Sequence, residues 1–316
     1  MSSSPAPASD VRPLQPCSEP YPHWLFTAAS GDQLRVVPER GGLVTSWVCG
    51  GQELLYLDQQ RFLDPTKSVR GGIPVLFPIC GNLAGSPLPQ HGFARDLPWQ
   101  LEPLQGAGAG EAQPEGLRLR LSDSDATRRL YPHAFVLELE YRLLPNELAI
   151  TARITNPSGS SAGAAGDASA DPLPFSLGLH PYFAVPDLTA VQLEGLPERC
   201  FDHIPMAEAA TAEQLHRLES GVDFLAQPQG PVRLVQGPQP GHGQAGHQQV
   251  EPGRWIALHT QAPLDLAVVW SEPPRPMLCL EPWTAPRGAM ATGERLLHVQ
   301  PGDTLELHCS YTTGVG

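Results

Sequence analysis

Apolar and polar residues alternate with a two-residue period along much of this chain, a spacing that predicts strands with one buried face. Phe135, Leu137, Leu139, Tyr141 and Leu143 alternate with Glu138, Glu140 and Arg142, and after Pro145-Asn146-Glu147 the pattern resumes with Leu148, Ile150, Ala152 and Ile154. Two half-exposed antiparallel strands joined as a hairpin follow from that pattern. Residues 24–26, 33–37, 43–48 and 53–57 repeat it at the spacing of an antiparallel meander, as do 255–259, 264–270, 276–283 and 304–309. Beyond Phe183 a helix is expected in one place, about 207–220, ended by Gly221. The pattern predicts an all-β architecture.

Two of the apolar runs end on a titratable residue. In Pro174-Phe-Ser-Leu-Gly-Leu-His180-Pro-Tyr-Phe183, Phe175, Leu177 and Leu179 alternate with Ser176 and Gly178, predicting a strand buried on one face. Pro181 supplies no amide to continue a ladder, so His180 stands at the strand end beside two aromatic rings. Met277-Leu-Cys-Leu-Glu281-Pro-Trp283 is built the same way, with a carboxylate in the histidine's place. A partly desolvated carboxylate has a raised pKa and makes a better base near neutral pH, and an imidazole can carry a proton there. A strand-end histidine bonded to a carbonyl and a carboxylate facing water are the plain structural alternatives. Two glycine-rich segments, Arg70-Gly-Gly-Ile-Pro and Gln90-His91-Gly-Phe-Ala-Arg95, add an amide, an imidazole and two guanidinium groups. A guanidinium fork suits a phosphate or a pair of sugar hydroxyls, and a polar surface turn is the alternative for the second segment.

Composition narrows the picture. With 36 Pro and 31 Gly among 316 residues, many short strands and turns are favoured over long helices. The formal charge of −13 argues against nucleic acid or an anionic membrane as partner. Six scattered cysteines without a CxxC read as small buried thiols in a reducing compartment, neither a disulfide frame nor a zinc site. Residues 1–20, polar and proline-rich, are expected to form a disordered arm without a signal-peptide pattern, and 21–316 a single domain. No stretch reaches the roughly 20 apolar residues of a membrane span, so a soluble, cytoplasmic protein is expected. Low-complexity stretches at 156–173 and about 236–254 read as surface insertions; His242 and His247 in the second lack cysteine or carboxylate at ligand spacing, so no metal is assigned.

The four segments at Arg70, Gln90–Arg95, Leu179–Phe183 and Met277–Glu281, in that order, resemble the aldose 1-epimerase (galactose mutarotase-like) superfamily, most of all its hexose-6-phosphate mutarotase branch. The resemblance runs from about Trp24 to Tyr311 and implies a large antiparallel β-supersandwich with a sugar cleft across one sheet. It further implies His180 as general acid and Glu281 as general base, with Arg70, Gln90, His91, Arg95 and an aspartate touching the sugar. That aspartate is placed at Asp223, with Asp202 as competitor. The implied reaction opens and recloses an aldohexose ring, interconverting its α and β anomers without a cofactor. The implied substrate is a hexose 6-phosphate; an unphosphorylated aldose, or binding without turnover, are the other readings. A monomer or weak dimer is expected. Trp270 is followed by Ser-Glu-Pro, where the phosphate-specific branch leads one to expect an Asn-Pro-Trp-like run.

Overall fold

A computed structural model describes residues 14–104, 116–158, 171–237, 239–240, 250–251 and 253–315. Most of these residues lie in or between antiparallel strands of three larger sheets. The first, of five strands, is the N-terminal meander from Leu14–Cys17 to Gln52–Glu53. The second has eight strands and centres on Glu147–Thr155, flanked by Val136–Leu144 and Thr304–Val315. The third also has eight and places Met277–Trp283 between Leu266–Ser271 and the short strand Gly178–Leu179.

The hairpin at 135–154 forms as its pattern requires. Along Glu147–Thr155 every second residue is buried, and Asn146 turns the chain at φ 58°, a left-handed conformation that asparagine tolerates. The buried faces of all three sheets meet in one apolar core that includes Trp47, Leu139, Ile150, Phe175, Leu278 and Leu280. Each such large side chain, fully buried, contributes roughly 1.5–3 kcal/mol. The Tyr311 hydroxyl donates to the Leu280 carbonyl at 2.8 Å, tying the second sheet to the strand that carries Glu281.

Four expectations change. Leu14–Cys17 is a strand paired with His23–Thr27, so the last part of the expected arm is ordered; residues 1–13 lie outside the described residues. The expected helix at 207–220 opens as the strand Ala207–Ala210, because pairing with Arg199–Asp202 overrides the helix propensity of its alanines and glutamate. Only Thr211–Leu215 and a 3-10 turn at Leu218–Ser220 are helical, and a second one-turn helix, Ala289–Thr292, follows later. The run at 53–57 contributes one strand residue, Glu53; Leu55 and Leu57 form isolated bridges to Phe183 and Gly71. Finally, the strand through Phe175 and Leu179 is interrupted after Phe175, and Ser176 and Gly178 are buried like their apolar neighbours. The stretch lies between layers, not at a surface. His242 and His247 fall outside the described residues. No described helix is long and apolar enough to cross a membrane.

Candidate active site

The register of the third sheet decides which side chains meet. Gly178 pairs with Trp283 and Tyr182 with Cys279, which sets His180 directly opposite Glu281. One strand further, Val268 pairs with Glu281 and Trp270 with Cys279; beyond that, Asp223 pairs with Trp270. Side chains alternate between faces, so Asp223, Trp270, Cys279, Glu281, Trp283, His180 and Tyr182 share one face of the sheet. The residues between them, Phe224, Val269, Leu278 and Leu280, pack into the apolar core on the other face. The strand Met277–Trp283 is buried on both faces, yet only one carries chemistry.

On that face lies a pocket of about 130 Å³, below the roughly 300–1,000 Å³ of pockets for drug-sized ligands, which suits a single small ring. All seven residues singled out from the sequence line it: Arg70, Gln90, His91, Arg95, His180, Asp223 and Glu281. The competitor Asp202 does not. Its carboxylate accepts from Gln214 Nε2 at 2.8 Å and from the Ile204 amide at 2.9 Å, holding a neighbouring turn.

His180 Nε2 stands 3.3 Å from Glu281 Oε1, and the other oxygen, Oε2, accepts a hydrogen bond from Trp283 Nε1 at 2.9 Å. That indole lies against the backbone of Gly178, where a Cβ would come within 2.7 Å of Trp283 Cδ1. The glycine therefore lets tryptophan reach the carboxylate. The His180 ring stacks on Tyr182 at 4.8 Å and meets the edge of Trp270 at 5.5 Å, which fixes its plane without any hydrogen bond to Nδ1. The histidine is 8% exposed and the glutamate 1%. Desolvation, with the repulsion of Asp223 added, pushes Glu281 well above the ordinary carboxylate range. Desolvation, with His91 and Arg95 adding to it, pushes His180 well below the ordinary imidazole value. Burial thus favours the neutral form of the pair, with the shared proton on the carboxyl. The ionised arrangement lies one transfer away across 3.3 Å.

His91 adopts φ 65° and accepts the Gly81 amide hydrogen on Nδ1 at 3.0 Å, which puts the ring hydrogen on Nε2, where the Gln90 side-chain amide 3.3 Å away can accept it only through its oxygen. Burial pushes its pKa down to about 3, with Arg95 contributing, so it is a neutral donor. Asp223 accepts from His203 Nδ1 at 2.7 Å and from Arg287 Nη2 at 2.6 Å, and these partners hold its carboxyl below the ordinary range in spite of desolvation.

The sequence reading did not find Arg287, His203, Trp270 or Trp283 as site residues. Arg287 follows in the loop after Trp283, and its stem lies where Gly81 has no Cβ: one added there would stand 2.4 Å from Arg287 Cγ. His203 stacks on Trp283 behind the pocket. A ligand cluster invisible in sequence spacing also forms, for His180, Cys279 and Glu281 have potential donor atoms all within 4.8 Å of one another. Three guanidinium groups line the same pocket, and the Trp283 indole occupies one Glu281 oxygen, so a dication is disfavoured there.

The cations are not equivalent. Arg70 Nε donates to Glu272 Oε2 at 3.1 Å, and Arg287 is paired with Asp223. Arg95 donates to the Gln90 carbonyl at 2.8 Å, its Nε is buried without a partner, and among the described residues it makes no ion pair. In a chain of net charge −13, Arg95 is thus the pocket cation that no carboxylate among the described residues pairs.

A family model described as Aldose 1-epimerase matches residues 26–312. A protein of Cenchrus ciliaris named "Putative glucose-6-phosphate 1-epimerase" is 34% identical over 198 residues, covering 60% of this chain and 56% of that protein. One of the same name from Escherichia coli K12 is 31% identical over 166 residues, covering 52% and 50%. This chain spans about half the length of those curated relatives. The crystal structure of the Slr1438 protein from Synechocystis sp. PCC 6803 matches over 100% of both chains, with TM-score 0.77 and 32% identity. A galactose mutarotase related enzyme from Lactobacillus acidophilus shares the fold, with TM-score 0.66, 19% identity and coverage of 92% and 97%.

Proposed function

Because the chain belongs to the aldose 1-epimerase family, we propose that it interconverts the α and β anomers of an aldohexose 6-phosphate. The observation that carries this reading is the His180–Glu281 contact, an acid and a base set face to face in a desolvated pocket of ring size. Glu281, ionised by passing its proton to His180, takes the hydrogen of the anomeric hydroxyl, while His180 protonates the ring oxygen. The ring opens to the aldehyde, turns about its first carbon–carbon bond and closes on the other face with the proton roles reversed. Only protons move, so no cofactor enters the scheme. Each positioned acid or base supplies about 10²–10⁴-fold. His91, Gln90 and Asp223 hold the ring hydroxyls, and the aromatic walls of Trp270 and Tyr182 exclude water.

The phosphate in this reading is supported by Arg95, which makes no ion pair among the described residues, and by Arg70 in the same pocket. An unphosphorylated aldose is the second reading, favoured by the pairing of Arg70 with Glu272 and of Arg287 with Asp223, which leaves Arg95 as the one pocket guanidinium without an ion pair among the described residues. A module that only binds sugar has no use for an acid–base contact. Polarimetry of freshly dissolved α-glucose 6-phosphate, α-glucose and α-galactose separates these readings. Acceleration of the phosphorylated sugar above the others is expected; equal or greater acceleration of the free sugars selects the second reading, and none selects the binding module.

A further inference from the structure

Glu272 lies just beyond the strand Leu266–Ser271, at the position where Ser-Glu-Pro follows Trp270. It does not line the pocket, yet its Oε2 accepts from two arginines at once: Arg70 Nε at 3.1 Å and Arg275 Nη1 at 2.6 Å. Arg70 belongs to the pocket and lies over the Trp270 ring at 5.7 Å. Arg275 stands outside the pocket, with Asp58 a further 3.9 Å from its Nε. One carboxylate thus bridges a pocket cation and a cation behind it. Arg70 has other anchors, since its Nη1 donates to Ser68 Oγ at 3.3 Å.

We propose that Glu272 sets the specificity of the pocket for charge, as an internal counter-ion that an anionic substituent must displace from Arg70. This role rests on the sugar-phosphate reading and on three features of the bridge. The carboxylate already makes its shorter bond to Arg275, so release from Arg70 leaves it paired and not stranded in a partly buried site. Its side chain is 35% exposed, which leaves room to swing toward Arg275. Arg70 keeps its place on Ser68 and Trp270 when the carboxylate leaves. In the empty protein, Glu272 neutralises Arg70 and spares the pocket the repulsion of neighbouring guanidinium groups. A neutral hexose makes no demand on the bridge; a phosphate competes for the same edge of the guanidinium. Arg95, without an ion-pair partner among the described residues, receives the anion first in this scheme, and Arg70 is recruited by the hand-off.

The test compares Glu272→Gln and Arg275→Met in the full chain, reading KM and kcat for α-glucose 6-phosphate and for α-glucose, and the inhibition of α-glucose turnover by inorganic phosphate. A partly exposed ion pair is worth about 0.2–1 kcal/mol, or roughly 1.4- to 5-fold in affinity. Glu272→Gln should lower KM for the phosphorylated sugar and the inhibition constant of phosphate within that range, leaving kcat and the KM for glucose in place. Arg275→Met removes the hand-off partner and should raise both constants, the opposite sign. If Glu272 only orients Arg70, both variants raise KM for the sugar phosphate, and the proposal is overturned. It is equally overturned if Glu272→Gln leaves the phosphate inhibition constant unchanged. Should the wild type turn over free sugar alone, the substrate reading fails, while phosphate inhibition still decides the role of Glu272.

Discussion

Replacing Trp283 by phenylalanine tests how the pair at the centre of the pocket shares its proton. The substitution removes the 2.9 Å hydrogen bond from Nε1 to Glu281 Oε2 and keeps an aromatic ring against Gly178. A hydrogen bond to a charged group contributes about 1.5–3 kcal/mol. Its loss destabilises the ionised carboxylate by that amount and moves Glu281 further up, adding to the upward push of burial. The sign differs between the two limbs of the pH profile. On the alkaline side the pair loses the proton that burial favours on Glu281, so that limb should move up. On the acid side a second proton is added to His180 while Glu281 is already neutral, so that limb should stay in place. Catalysis draws on the ionised arrangement, which is destabilised by the same energy, so the plateau of kcat/KM should fall about 10- to 150-fold. The assay is kcat/KM for the sugar across the pH range, wild type beside variant. A lowered plateau with an unmoved alkaline limb would refute the reasoning, because lost ring packing alone lowers the plateau without shifting the limb.

Two further outcomes follow from burial and pairing. Glu281→Gln should abolish turnover and raise Tm at pH 7–8. The raised carboxyl pKa means that stability present below the unfolded value, near 4.5, is lost as pH rises through the folded one, and an amide never pays that cost, so the gain should vanish by pH 4. A Tm gain of the same size at pH 4 and pH 8 would contradict it. The two aspartates should separate: Asp202→Ala strands the Gln214 amide and the Ile204 N–H, lowering stability by about 1–3 kcal/mol with KM unchanged. Asp223→Ala should instead raise KM by roughly an order of magnitude, since it frees Arg287 as well as removing the proposed hydroxyl acceptor. Denaturant melts and initial rates on both variants decide.

His180 and Glu281 were legible because each closes an apolar run just before a proline. Their meeting was not, since it depends on a ladder that joins strands about a hundred residues apart. Asp202 and Asp223 look alike in the chain and sit on neighbouring paired strands, and only the face each presents separates them. Arg287 left no local signature: it lies in a loop, and its place depends on the missing side chain of Gly81, two hundred residues earlier. The hairpin at 135–154 was readable because water on one face enforces alternation, with one exception: Glu140, on the charged face, is buried between Arg118 and Arg153. The stretch at 174–180 misled because its alternation marks no wet face: Ser176 is buried, its Oγ accepting the Cys80 amide hydrogen at 3.0 Å, and Gly178 is covered by Trp283. At 207–210 the helix propensity was local, and the strand partner that overrode it was not.

The central claim is that His180 and Glu281 act as one acid–base pair on a phosphorylated ring. Magnetisation-exchange NMR on glucose 6-phosphate at anomeric equilibrium, with equal amounts of wild type, His180→Asn and Glu281→Gln, tests it most directly. Exchange between the α and β resonances should be fast with the wild type and fall to the spontaneous rate with either variant, while calorimetry still detects sugar phosphate bound to both. Exchange sustained by either variant at the wild-type rate would contradict the assignment of the pair.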